Sequence, residues 1–186
     1  MLGLGDAPLV LFGHCMGALS AHALAAELFE RGKPATALVV SSSRVPHLPP
    51  EQRYLPPRPG AVGVYHMSMD QPRLREEISR VMAAQGVEVP DELLGIAVRV
   101  LDRDLDMCFG YSPGAVAPTG CPVHAVAWSD DSDVAAHEML AWSDYGTAFC
   151  LSVLPGHKMS FIDAGEELMD VIRSVSSISR PTAQKR

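Results

Sequence analysis

The sequence predicts an α/β fold, a mostly parallel sheet with flanking helices, and three observations carry that reading. Short continuous apolar runs recur along the 186 residues: "PLVLF" at 8–12, "ATALVVSSS" at 35–43, "CPVHAVAWS" at 121–129 and "AFCLSVLPG" at 148–156. Helical patterns lie between them, and strand, helix, strand with short connections is the βαβ unit of a parallel sheet. A composition of 47% apolar and 20% charged residues supplies one ordinary core, so one domain is expected.

The first strand, residues 8–12, runs into a helix over 16–31 that stops at Gly32, a natural C-cap. The second strand ends in Ser41, Ser42 and Ser43. Residues 44–63 hold Pro46, Pro49, Pro50, Pro56, Pro57 and Pro59 and predict a stiff loop with no regular element. Two helical patterns follow, "QPRLREEISRVMAAQG" and "PDELLGIAVRVLDRDLDMCFGY", each opened by a proline near its first turn. A third strand, a helix over "SDVAAHEMLAWSDYG", a fourth strand and a last helix over about 163–178 complete the domain, 1–178. Residues 179–186 are a polar tail expected to fray.

Composition also excludes. No stretch approaches the roughly 18 consecutive apolar residues of a membrane span, and "LGLGDAPLV" after Met1 lacks the basic start and cleavage site of a secretory signal. A cytoplasmic protein with no membrane partner is expected. Cys15, Cys108, Cys121 and Cys150 are scattered without a Cys-x-x-Cys spacing, which favours neither a disulfide framework nor a zinc site; no metal and no cofactor is predicted. The net charge of -7 argues against nucleic acid as a partner.

Gly13-His14-Cys15-Met16-Gly17 has the form G-x-nucleophile-x-G with a strand before it and a helix after it. At such a corner the nucleophile sits in a strained backbone conformation, and glycines two residues to either side remove side chains that would collide with strand and helix. The N-terminus of the helix favours a thiolate, and the backbone N–H of Met16 becomes an oxyanion donor. His14, adjacent to the nucleophile, should point elsewhere and serve structure.

A base and an orienting acid should follow in chain order on loops after later strands. "LPGHKMSF", 154–161, offers His157, with Pro155 and Gly156 making the turn. "WSDDSDV", 128–134, offers Asp130, Asp131 and Asp133; one can hold an imidazole while the others cap the element that follows. The remaining histidines, His22, His47, His66, His124 and His137, are expected to be structural or surface residues.

With these residues in place the sequence resembles the type II thioesterases of polyketide and nonribosomal-peptide assembly lines, a family of α/β-hydrolases. "LFGHCMGALSAHALA" is similar to that family's G-H-S-M-G-A elbow, "SSSRVPHLPP" to its S-x-R-x-P-H-L-P loop, and "VLDRDLDMCFGY" to its R-x-D helix before a tyrosine. "CPVHAVAWSDDSDV" resembles its strand into the acid loop, and "VLPGHKMSF" its P-G-G-H-F-F histidine loop. The resemblance implies Cys15 as nucleophile, His157 as base and Asp131 as acid, the last because it stands three residues before Val134. It implies hydrolysis of acyl groups from the phosphopantetheine arm of an acyl or peptidyl carrier protein, in antibiotic biosynthesis, under a lid at about 64–110.

Four departures stand out. Cys15 replaces the family's Ser; a thiolate remains a competent acyl acceptor, and it puts the water-driven second step in question. Trp128 and Ser129 replace small residues before the acid. The histidine loop has one glycine fewer and carries Lys158. The chain begins 12 residues before Gly13, without the strands that precede the family's elbow and the loop that supplies a second oxyanion N–H. The sequence therefore leaves open two alternatives: another Cys-dependent α/β-hydrolase on a small ester, similar to the dienelactone hydrolases, or a truncated, catalytically impaired remnant.

Overall fold

A computed structural model describes residues 8–56, 65–66, 69–163 and 165–177. Four strands, β1 (Val10–His14), β2 (Ala37–Ser41), β3 (Val123–Trp128) and β4 (Phe149–Leu154), form one sheet in the order β1-β2-β3-β4. Every neighbouring pair is parallel, in register Val10 with Ala37, Leu38 with Val123, and Val123 with Phe149. All residues of β2 and β3 are buried, whereas β1 and β4 each keep exposed positions. That is why the two central strands read as unbroken apolar runs.

Side chains that alternate across the sheet build two cores. Leu38, Val40, Val123, Ala125 and Ala127 point to one face, where α1 (Met16–Glu30) lays down Ala18, Ala21 and Ala25. Ala37, Val39, Val126 and Trp128 point to the other, under Leu168 and Val175 of α5 (Glu166–Ser176). The small alanines let α1 approach the sheet closely, and burial of each large apolar side chain contributes about 1.5–3 kcal/mol before entropy is counted.

Between β2 and β3 the chain makes a helical hairpin, α3 (Gln71–Ala84) and α4 (Asp91–Gly110). Asp70 caps α3 by accepting from Arg73 N, with Pro72 in the first turn, where its missing N–H costs nothing. Leu74, Ile78, Leu94, Val98 and Leu105 form the hairpin's own core, and Met16 and Tyr65 pack against it. The hairpin thus sits over the corner where β1 meets α1.

Two expected elements differ. The proline-rich stretch contains one helical turn, α2 (Pro50–Arg53), because Pro50 occupies the first helical position. Ala136–Asp144, read from the sequence simply as a helix, is a 3-10 helix. Met139, Trp142 and Tyr145 recur every third residue and are all buried, a spacing that aligns one edge of a three-residue turn. The rest of the proline-rich stretch, the start of the expected lid and the expected tail fall on 57–64, 67–68 and 178–186, outside the described residues.

Candidate active site

Cys15 stands between the last residue of β1 and the first of α1 with φ 51° and ψ −118°. A residue with a side chain held there stores roughly 1–3 kcal/mol of strain. Two bonds hold it: Cys15 N donates to Ser41 O at 2.8 Å, and Cys15 O accepts from Ala18 N at 3.1 Å. A Cβ on Gly13 would lie 2.4 Å from Gly17 O and 2.6 Å from Ala18 Cα, so glycine is required where strand and helix cross. Gly17 is different. A Cβ there meets nothing within 4 Å, which corrects the symmetric role expected of the two glycines.

Cys15 is half-buried and lines a cleft with Met16, Ser42, Tyr54, Tyr65, Asp133 and Lys158, among others. Met16 opens α1 and lines this cleft, and as the first helical residue its N–H has no intrahelical acceptor. Tyr54 lies under the hairpin; burial, with Cys108 and Cys15 nearby, raises its phenol well above the usual range.

The loops after β3 and β4 are laced together. Ser129 Oγ accepts from Gly156 N at 3.1 Å, and Asp130 N donates to Gly156 O at 2.9 Å. Gly156 has φ 114°, and a Cβ there would fall 2.5 Å from Ser160 Oγ. In the turn that follows, His157 and Lys158 differ in burial. His157 is exposed; its Nδ1 accepts from Met159 N at 3.1 Å, and it lines a neighbouring cleft with Val81, Asp130 and Ser132 rather than the one holding Cys15. Lys158 is 6% exposed, lines both that cleft and the one holding Cys15, and places Nζ 2.7 Å from Asp133 Oδ2. Burial works against the ammonium, but the charges of Cys15, Asp133 and Asp131 outweigh it and raise Lys158 above the usual lysine range.

The three aspartates divide the work. Asp131 Oδ1 accepts from Asp133 N at 2.8 Å and Val134 N at 3.1 Å, and its Oδ2 accepts from Ser42 Oγ at 2.7 Å. It ties the loop to the end of β2 and makes no hydrogen bond to His157. Asp133 takes the cations: besides Lys158, Arg44 Nη1 lies at 3.2 Å and Arg44 Nη2 donates to its backbone O at 2.6 Å. Arg44 also donates from Nε to Glu138 Oε1 at 2.8 Å. The expected set of Cys15, His157 and Asp131 is therefore not assembled by hydrogen bonds in this structure, and the buried charges beside Cys15 belong to Lys158 and Asp133. The signals in the sequence were the shortened histidine loop and the Lys158 it carries. Arg44 was legible only as part of a motif.

Four other histidines hold structure. His14 stacks on Phe161 at 3.8 Å and shares a 3.1 Å hydrogen bond with Ser41 Oγ; burial, then Lys158, lowers it to about 3. His22 bonds Ala117 O, His47 bonds the Tyr145 hydroxyl, and His124 bonds Ser152 Oγ.

Residues 3–177 match the family model described as the thioesterase domain. The chain belongs to that family. Among relatives, the protein named linear gramicidin dehydrogenase LgrE of Brevibacillus parabrevis is 27% identical over 172 residues, 90% of this chain and 62% of that protein. The RedJ thioesterase from the prodiginine biosynthetic pathway in Streptomyces coelicolor is 27% identical with a TM-score of 0.67, over 91% of this chain and 63% of that one. The type II thioesterase BorB from the borrelidin biosynthetic cluster superposes with a TM-score of 0.71 at 24% identity, over 91% and 65% of the two chains, a likeness of fold. The thioesterase domain described here thus spans less than two thirds of the length of each of these relatives. No helix among the described residues is long and apolar enough to cross a membrane.

Proposed function

We propose that this chain is an editing thioesterase of the type II kind, which takes acyl groups from the phosphopantetheine arm of an acyl or peptidyl carrier protein through Cys15. The observation that carries the reading is the strained corner at Cys15: the fold holds a partly exposed thiol at φ 51°, in a cleft, at the N-terminus of α1. Relatives that include the RedJ thioesterase support the substrate class. Cys15 Sγ attacks the thioester carbonyl, the Met16 N–H stabilises the oxyanion, and the carrier's thiolate leaves. His157 and Asp131, the base and acid to which the sequence points, enter this reading only if the turn at 155–159 rotates to bring imidazole to sulfur. The hairpin α3–α4 serves as the lid, its apolar core reaching Met16.

The test offers the protein a butyryl-loaded carrier protein and, separately, p-nitrophenyl butyrate. Removal of the carrier-bound acyl group, lost in Cys15→Ala, is the expected result. Equal or better use of the small ester would move the protein to the small-ester hydrolases, and no reaction with either would make it a noncatalytic member of the family.

A further inference from the structure

We propose that Cys15 hands its acyl group to a second thiol rather than to water, because the group seated beside it, Lys158, is a fixed cation and not a base. The inference rests on Cys15 being the nucleophile that removes the acyl group from the carrier, as proposed above, and changes only the final acceptor of that group. It is carried by three placements. Lys158, with its side chain 7% exposed, shares the cleft with Cys15 and is salt-bridged at 2.7 Å to Asp133. His157 is turned into the neighbouring cleft with its Nδ1 already accepting a backbone N–H. Both oxygens of Asp131 are engaged by Ser42 and by two backbone N–H groups, so the carboxylate is committed to the loop rather than to a histidine.

The two possible acceptors make different demands. Water attacking an acyl-enzyme must surrender a proton in the transition state, and a positioned base contributes about 10²–10⁴ in rate. An ammonium has no lone pair to offer, and the surroundings of Lys158 keep it charged: Asp131 and Asp133 from the loop after β3, Cys15 from the elbow, with Arg44 from the loop after β2 bonded to the same Asp133. Among the described residues Tyr65 and His14 also interact electrostatically with Lys158, and neither offers a charge that would displace a proton from it. A thiol acceptor needs no such help. At neutral pH a few per cent of an ordinary thiol is already thiolate and strongly nucleophilic.

The steps balance. Cys15 Sγ⁻ forms a bond to the acyl carbon, the donor's C–S bond breaks, and the donor thiolate takes a proton from solvent. The acceptor thiol loses its proton to solvent, its sulfur bonds to the acyl carbon, and the C–Sγ bond breaks to restore Cys15. One thioester is exchanged for another, with no oxidant, reductant or net water consumed. The substrate classes are therefore an acyl thioester of a pantetheine-like thiol and a second thiol of the same kind.

The experiment loads Cys15 from butyryl-pantetheine, removes the donor by gel filtration, and follows the adduct by intact mass in buffer and in N-acetylcysteamine, beside free S-butyryl-N-acetylcysteine as the reference thioester. The expected adduct loses its acyl group to water no faster than the reference, and to N-acetylcysteamine at least about tenfold faster than the reference does, the gain expected of a positioned acceptor. In Lys158→His, hydrolysis rises by about 10² as a base is installed. Hydrolysis of the wild-type adduct well above the reference and slowed by His157→Ala, or thiol transfer no faster than the reference, would overturn the proposal. These wild-type ratios decide it whether or not Lys158→His folds. Absence of any adduct would instead overturn the reading of Cys15 as nucleophile.

Discussion

Two glycines and a thiol define the corner at which α1 begins, and only one of the glycines is compelled. Gly13→Ala puts a Cβ within 2.4 Å of Gly17 O, backbone that cannot step aside. Overpacking of that kind costs about 1–3 kcal/mol, so the urea midpoint of Gly13→Ala should fall clearly. Gly17→Ala should hold or gain up to about 1 kcal/mol, since alanine is the better helix former in open space. Equal losses in both variants would show that the close crossing of strand and helix is not what fixes Cys15. The motif made Gly13 and Cys15 legible from the sequence. The histidine loop was harder to read: spacing alone names His157, but which of two adjacent side chains reaches the Cys15 cleft depends on the phase of a tight turn.

At the level of elements, β2 and β3 were legible because strands covered on both faces need no polar alternation. The 3-10 helix at Ala136–Asp144 was not, since its composition suits an α-helix and its three-residue period appears only through the burial of Met139, Trp142 and Tyr145. Nor could the sequence reveal how the loops after β2 and β3 are joined. Arg44, whose side chain is 4% exposed, bridges Asp133 and Glu138 and also donates to Arg53 O. Removing one partner of a buried ion pair typically costs about 3–5 kcal/mol, so Arg44→Met should lower the thermal midpoint strongly and loosen the loop that carries Asp133 and, through it, Lys158. A stability loss of under about 0.5 kcal/mol, the range of ordinary surface changes, would show that this arginine does not organise the site.

For the molecule as a whole, the buried histidines set the response to acid. Burial lowers His14 to about 3 and also lowers His22 and His124 below their ordinary value near 6.5. The unfolded chain therefore binds more protons than the folded one once pH drops below about 6.5, and by linkage stability is full above that value and falls as pH descends towards the folded values. Glu138 adds a second, lower phase. Burial opposes its ionisation, but hydrogen bonds from Arg44 and Ala135 N hold it below the ordinary carboxylate value, so its contribution is present above that value and is lost as pH falls through the folded one. Urea midpoints should decline between pH 6.5 and 5, before carboxylates titrate; a flat profile there would contradict the burial of these rings.

Cysteine labelling by chloroacetyl-pantetheine, resolved by peptide mapping, puts the most direct question to this account. Exposure alone favours Cys150, which is exposed, over the partly covered Cys15, with Cys108 and Cys121 buried. A thiol presented for acyl transfer from a pantetheine arm must react first in spite of that order, so Cys15 should be alkylated well ahead of Cys150. Labelling of Cys150 first, with Cys15 unmodified, would contradict the claim that the fold holds Cys15 as its nucleophile.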